Sequence, residues 1–143
     1  MAESENKQLI RRYYEEVLNQ NRLEVLNELS RPDHVEHNPL PGQGQGLEGL
    51  KQRVTAIKQA FNPRFTLDHV IAESDKVAVM WTNSGTHQGE WFGVPATGKT
   101  VTIQGIDIHV IRDGRMAEHW DVVDVFSMLV QIGALPAPSA APA

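Results

Sequence analysis

No cysteine occurs anywhere in the 143 residues, which excludes thiol nucleophiles, thiolate zinc sites and disulfides. Also missing is any run approaching ~18 consecutive apolar residues, so no transmembrane helix is expected. The first residues, MAESENKQ, are polar and lack the apolar core of a signal peptide. These absences predict a cytoplasmic protein. Lys and Arg form no cluster and the formal charge is -5, so neither nucleic acid nor a membrane surface is an expected partner. There is no GxSxG elbow, and GQGQG has neither the leading strand nor the following Lys of a phosphate loop.

What is present reads as one domain over residues 1–135, large enough to bury its own core, followed by a mobile PAPSAAPA tail at 136–143. Leu9, Ile10, Tyr13, Tyr14, Val17 and Leu18 have the paired spacing of an amphipathic helix over about 5–20. Asn21 opens a short second helix that Pro32 ends, and Leu47, Leu50, Val54, Ile57 and Phe61 mark a third over about 47–60. Strands follow: one through Phe65–Ile71, a long one from Lys76 to about His87, and, after a Gly-rich excursion at 88–99, two more. A short helix containing Met128, Leu129 and Ile132 stops at Gly133. Helices first and antiparallel strands later predict an α+β domain, with three N-terminal helices covering a strongly curved antiparallel sheet that forms a cone around a cavity.

The last two strands carry the functional signal. VTIQGIDIHVIRDGRMAEHWDVVDV is a hairpin turning at Asp113-Gly114, and among its Val and Ile stand Asp107, His109, His119 and Asp121. A structural strand fills such positions with apolar side chains, because burying a charge is costly. Two registers are open. A two-residue turn sets Asp107 opposite Trp120 with Asp121 turned away; a three-residue loop, Arg112-Asp113-Gly114, sets Asp107 opposite His119 and near Asp121 on one face. The second is preferred, and it leaves Ile106, Ile108, Trp120 and Val122 as an apolar outer face that predicts a homodimer.

THQGEWFGVPATGK and IDIHVIRDGRMAEHWDVVD, with the amino-terminal helix and the EHNP segment, resemble the SnoaL-like polyketide cyclases, a family of the nuclear-transport-factor-two-like cone fold. The resemblance spans roughly residues 5–135. It implies intramolecular aldol condensation of a polyketide ester without metal or cofactor, with Asp121 of EHWD matching the family's acid/base carboxylate. Where the aromatic polyketide cyclases carry a His and a Gln on the preceding strand, this chain has Asp107 and Gly105.

Removing a proton alpha to a carbonyl needs a base and donors for the enolate. Asp121 and Asp107 are the candidate acid/base pair, able to share a proton, with His119 assisting. His37 and Asn38, where the family's pocket residues cluster, are expected to bind substrate, as are Trp81 in an aromatic wall and Trp91 in the Gly-rich excursion. No metal is expected, since His34 and His37 of HVEH fall on opposite faces of an extended segment. The partner expected at the site is a small molecule. The competing readings are an apolar-ligand binding protein, an interaction domain, and an epoxide hydrolase. The last needs an Arg between two Asp residues to hold and polarise the pair, and Arg112 and Arg115 flank the turn facing solvent.

Overall fold

The computed structural model describes residues 2–139. Helix α1 (Ala2–Arg12) runs on into a π-helical segment, Tyr13–Asn19. The wider turn brings Tyr13, Tyr14, Val17 and Leu18 all into the core. Asn21, at φ 60°, breaks the chain. A 3-10 turn (Leu23–Val25) and the single turn α2 (Leu26–Leu29) complete the predicted second helix.

Strand β1 (Ser30–Glu36) contains Pro32, which was expected only to end a helix. An edge strand tolerates proline because its outer N–H side needs no partner. The strand pairs β5 with a break in register between Ser30 and Val35, where Pro32 falls. Helix α3 (Gly46–Ala60) packs on β1, and then come β2 (Arg64–Glu73), β3 (Lys76–Thr86), β4 (Thr100–Arg112), β5 (Arg115–Val123) and α4 (Val125–Gln131). The sheet order is β1-β5-β4-β3-β2. All pairs are antiparallel except β1–β5, which is parallel, so the sheet is mixed rather than wholly antiparallel. The architecture is the expected α+β one, with a fourth helix after the sheet.

The core lies between the helices and one sheet face: Ile10, Tyr14, Val17, Leu26 and Leu29 meet Val77, Val79 and Met116. Residues 136–139 have no regular secondary structure, and the rest of the expected tail, 140–143, lies outside the described residues. No described helix is long and apolar enough to cross a membrane.

The hairpin register differs from both sequence readings. Arg112 pairs Arg115 around a two-residue turn, with Asp113 and Gly114 both at positive φ, 51° and 71°. That is the tight turn that matches strand twist. Farther in, Ile111 pairs Met116 but Val110 pairs Glu118, so Ala117 is an extra, bulged residue. The bulge advances β5 by one position and sets Asp107 opposite Asp121 and His109 opposite His119. The face prediction therefore holds, though through a bulge in the strand instead of a longer loop.

Candidate functional site

The covered face of the sheet and the helices enclose a cavity of about 200 Å³. Its apolar end is formed by Phe61, Phe65, Val101, Ile103, Trp91 and Met128. Asp107, His119, Asp121, Asn38, Arg53 and Tyr13 form the polar end.

Asp107 is nearly sealed and accepts hydrogen bonds from three sides. Trp81 Nε1 donates to its Oδ2 at 2.9 Å, the Tyr14 hydroxyl donates to the same oxygen, and His119 Nε2 lies 3.2 Å from Oδ1. Trp81 reaches this carboxylate because its cross-strand partner is Gly105. A Cβ there would come within 2.3 Å of the indole ring. The departure from Gln noted in the sequence thus makes room for an indole. Burial alone would raise the Asp107 carboxyl, but hydrogen bonding and charge from His119, then His109 and Tyr14, outweigh it and hold the carboxyl at about 2.

His119 is clamped between carboxylates. Its Nδ1 lies 2.8 Å from both oxygens of Glu36, and its Nε2 faces Asp107. Burial disfavours the imidazolium, yet Asp107 and Glu36 together raise His119 to about 9. It is therefore a cation with both N–H groups committed. Burial and the neighbouring His119 cation push His109 down to about 3, so it stays neutral, with Nε2 2.9 Å from the Tyr14 hydroxyl.

Asp121 differs from the other carboxylates. Arg53 NH2 donates to its Oδ2, and among the described residues no donor reaches its Oδ1. Burial raises its pKa, Arg53 and His119 pull it back, and Asp107 and Glu36 push it up, leaving it above its ordinary value. Its backbone N–H donates to Asn38 Oδ1 at 2.9 Å, which turns the amide NH2 of Asn38 away from the strand. The two aspartates thus diverge, one held down and one pushed up, in place of the shared-proton pair predicted from sequence.

Arg53, Glu36 and Tyr14 carry much of this arrangement and were missed in the sequence. Arg53 lies on the buried stripe of α3 with Leu50 and Val54, where an ionised residue is out of place, and that was the available signal. Its NH1 donates to Asn38 O at 3.1 Å and Gln43 Oε1 at 3.4 Å, and approaches Glu36 Oε1 at 3.5 Å. Glu36 is held in turn by the GQGQG segment. Its N–H donates to Gln45 Oε1 at 2.9 Å and its carbonyl accepts from Gln45 Nε2 at 3.0 Å, as a neighbouring strand would bond it.

His37 does not line the cavity, contrary to expectation. One residue beyond the inward Glu36, it points to the other face, stacks on Trp120 at 4.0 Å and 4°, and has its Nε2 2.8 Å from Glu118. Asn38, Trp81 and Trp91 do line it. His34 is buried on the side opposite to His37. Among the described residues, Asp107, His109 and His119 come close enough to share a metal ion, within 4.8 Å of one another. The protons on His119 and the donors on Asp107 already occupy the lone pairs that a cation would need.

The model of the family described as SnoaL-like polyketide cyclase matches residues 8–132. The chain is 33% identical over 113 residues to the aklanonic acid methyl ester cyclase DauD of Streptomyces sp. (strain C5), covering 76% of this chain and 67% of that one. It is 34% identical over 115 residues to the aklanonic acid methyl ester cyclase DnrD of Streptomyces peucetius, covering 78% and 73%. Among solved structures, TsrD from Streptomyces laurentii superposes with a TM-score of 0.84 at 29% identity, covering 92% of this chain and 97% of that one. On the family match over most of its length, with Asp121 of EHWD lining the cavity, this chain belongs to the SnoaL-like polyketide cyclases.

Proposed function

We propose that the chain closes a ring in a small polyketide-like carbonyl compound by a cofactor-independent intramolecular aldol step, with Asp121 as the acid/base group. Asp121 takes the α-proton, and the C–H electron pair moves into an enolate. The enolate carbon attacks a ketone carbonyl to form the C–C bond, and the resulting alkoxide recovers the proton from Asp121. The observation that carries this reading is the contrast between the carboxylates. Asp107 and Glu36 are saturated with donors, whereas Asp121 is pushed up and keeps one oxygen without a partner beside the cavity. The two cations, Arg53 and His119, face three carboxylates, so the site has one net negative charge that protonation of Asp121 cancels. Asp107 and His119 serve electrostatically, while Asn38, Trp81 and Trp91 shape the binding wall. The methyl ester substrates named for DauD and DnrD support a neutral ester as the class of compound.

Deuterium incorporation from D₂O into β-keto esters, followed by proton NMR, tests the elementary step. Exchange should occur with the native chain and fall roughly 10²-fold or more in Asp121→Asn. If no ester exchanges while both proteins gain the same thermal stability from it, the apolar-ligand binding reading replaces this one.

One observation favours a second reading. Arg53 lies between Asp121 and Glu36, close to the Arg between two Asp residues that an epoxide hydrolase is expected to use but with Glu in place of one Asp, and the sequence had suggested no arginine there. Incorporation of ¹⁸O from water into a diol, with no carbon-acid exchange, would select it.

The proposal extends to a homodimer in the cytoplasm. Ile106, Ile108 and Val122 on the outer sheet face are exposed, Val122 by 77%, and pairing two such faces would remove them from water. Light scattering that returns the mass of a single chain would refute the dimer, and cell fractionation tests the location.

A further inference from the structure

Tyr13 and Tyr14 are consecutive, and the π-helical segment turns both toward the cavity. Their hydroxyls differ in circumstance. That of Tyr14 is engaged by Asp107 and His109. That of Tyr13 has no hydrogen-bond partner among the described residues, and although the residue is only 6% exposed, its oxygen is not sealed off. A phenol so deeply placed ordinarily pairs its O–H. Packing sets the ring's direction: it stands edge-on to Tyr14, with centroids 5.0 Å apart, and to His109 at 5.8 Å.

The other donors at the polar end are occupied. Both nitrogens of His119 face carboxylates, Arg53 is spent on Asp121, Glu36 and backbone, and Trp81 and Tyr14 serve Asp107. Trp91 Nε1 lacks a partner but is closed off from the cavity space, and Asn38 stands at the exposed end. An enolate formed beside Asp121 would gather negative charge on oxygen within a site that is already anionic. It needs a neutral donor that is not already committed. Burial, helped by Asp107, Glu36 and Asp121 against the pull of Arg53, holds the Tyr13 phenol well above its usual range, so it keeps its proton.

We propose that Tyr13 is a catalytic residue whose hydroxyl donates a hydrogen bond to the substrate carbonyl oxygen as Asp121 removes the adjacent α-proton. This rests on the aldol reading above. No proton leaves Tyr13: the C–H pair forms the enolate C=C bond, the carbonyl π pair moves onto the oxygen, the Tyr13 hydrogen bond strengthens, and the proton resides on Asp121.

The test separates the donor from the base by using p-nitrophenolate, a planar oxyanion that is not turned over and whose ionisation is visible. The native chain should bind it about tenfold or more tightly than Tyr13→Phe. Asp121→Asn, with one carboxylate charge removed, should bind it at least as tightly as the native chain. Site-specific 3-fluorotyrosine at position 13 keeps shape and hydroxyl while acidifying the phenol, so it should tighten binding even if Tyr13→Phe folds poorly. Equal affinity of the native and Tyr13→Phe proteins, absence of binding to the native protein, or no response to fluorination overturns the proposal. If Asp121→Asn exchanges deuterium as fast as the native chain while Tyr13→Phe loses phenolate affinity, the base assignment fails and the donor stands.

Discussion

Arg53 shows how one side chain links carboxylates of different character. Its guanidinium bonds Asp121 and approaches Glu36, and Glu36 grips His119. Removing that cation removes the strongest force pulling the Asp121 carboxyl down, so the carboxyl should rise further. For Arg53→Met we expect the acid limb of the rate profile to move to higher pH, because the base is then half ionised at a higher pH. An unmoved limb would mean that the arginine is only structural. Among the residues read from sequence, Asp121, Asp107 and His119 were visible because ionised groups stood where a strand wants Val or Ile. Arg53 was hidden in a helix stripe that otherwise looked like ordinary core.

At the level of elements, β4 and β5 position the site through two small residues. Ala117 supplies the bulge that places Asp121 opposite Asp107, and Gly105 leaves the space into which Trp81 packs. Since a Cβ at 105 would sit within 2.3 Å of the indole, Gly105→Ala must displace Trp81 from Asp107. A loss of roughly 1–3 kcal/mol in denaturant unfolding is expected from the overpacking, with a smaller loss in a Gly105→Ala/Trp81→Phe double variant. Full additivity of the two changes would show that they do not act on each other. The α3 and hairpin patterns were legible from period alone. The bulge was not, because a turn sequence such as Asp113-Gly114 constrains the turn itself and says nothing about a residue inserted three positions farther on.

For the whole molecule, the buried histidines set the dependence of stability on pH. Burial, then the His119 charge, lowers His34 to about 4 and His109 to about 3 from 6.5, so below about 6.5 the unfolded chain binds protons that the folded chain refuses. Stability should therefore fall as pH drops from there, and Asp107 adds its own loss below its unfolded value as pH falls toward about 2. His119 has the opposite sign. Raised from 6.5 to about 9, it contributes fully below 6.5, and that contribution is lost as pH rises through 9. Thermal unfolding should accordingly show maximal stability near neutral pH, and His119→Gln should flatten the slope between pH 6.5 and about 9 while leaving the acid side sloped. A slope between pH 6.5 and about 9 that survives in His119→Gln would contradict the clamped imidazolium.

By itself the sequence determined the order and type of most elements, the inner face of the hairpin and the family, since those depend on local period, turn chemistry and motif. Only the tertiary structure decided which carboxylate is saturated and which is open, that β1 lies parallel to β5, that His37 faces outward, and that Arg53, Glu36 and Tyr14 complete the charged wall. Those outcomes depend on contacts between residues far apart in the chain, such as Tyr14 with Asp107 and Glu36 with His119. No local pattern encodes such contacts, because a side chain's charge state in a buried site is set by whichever neighbours folding brings to it.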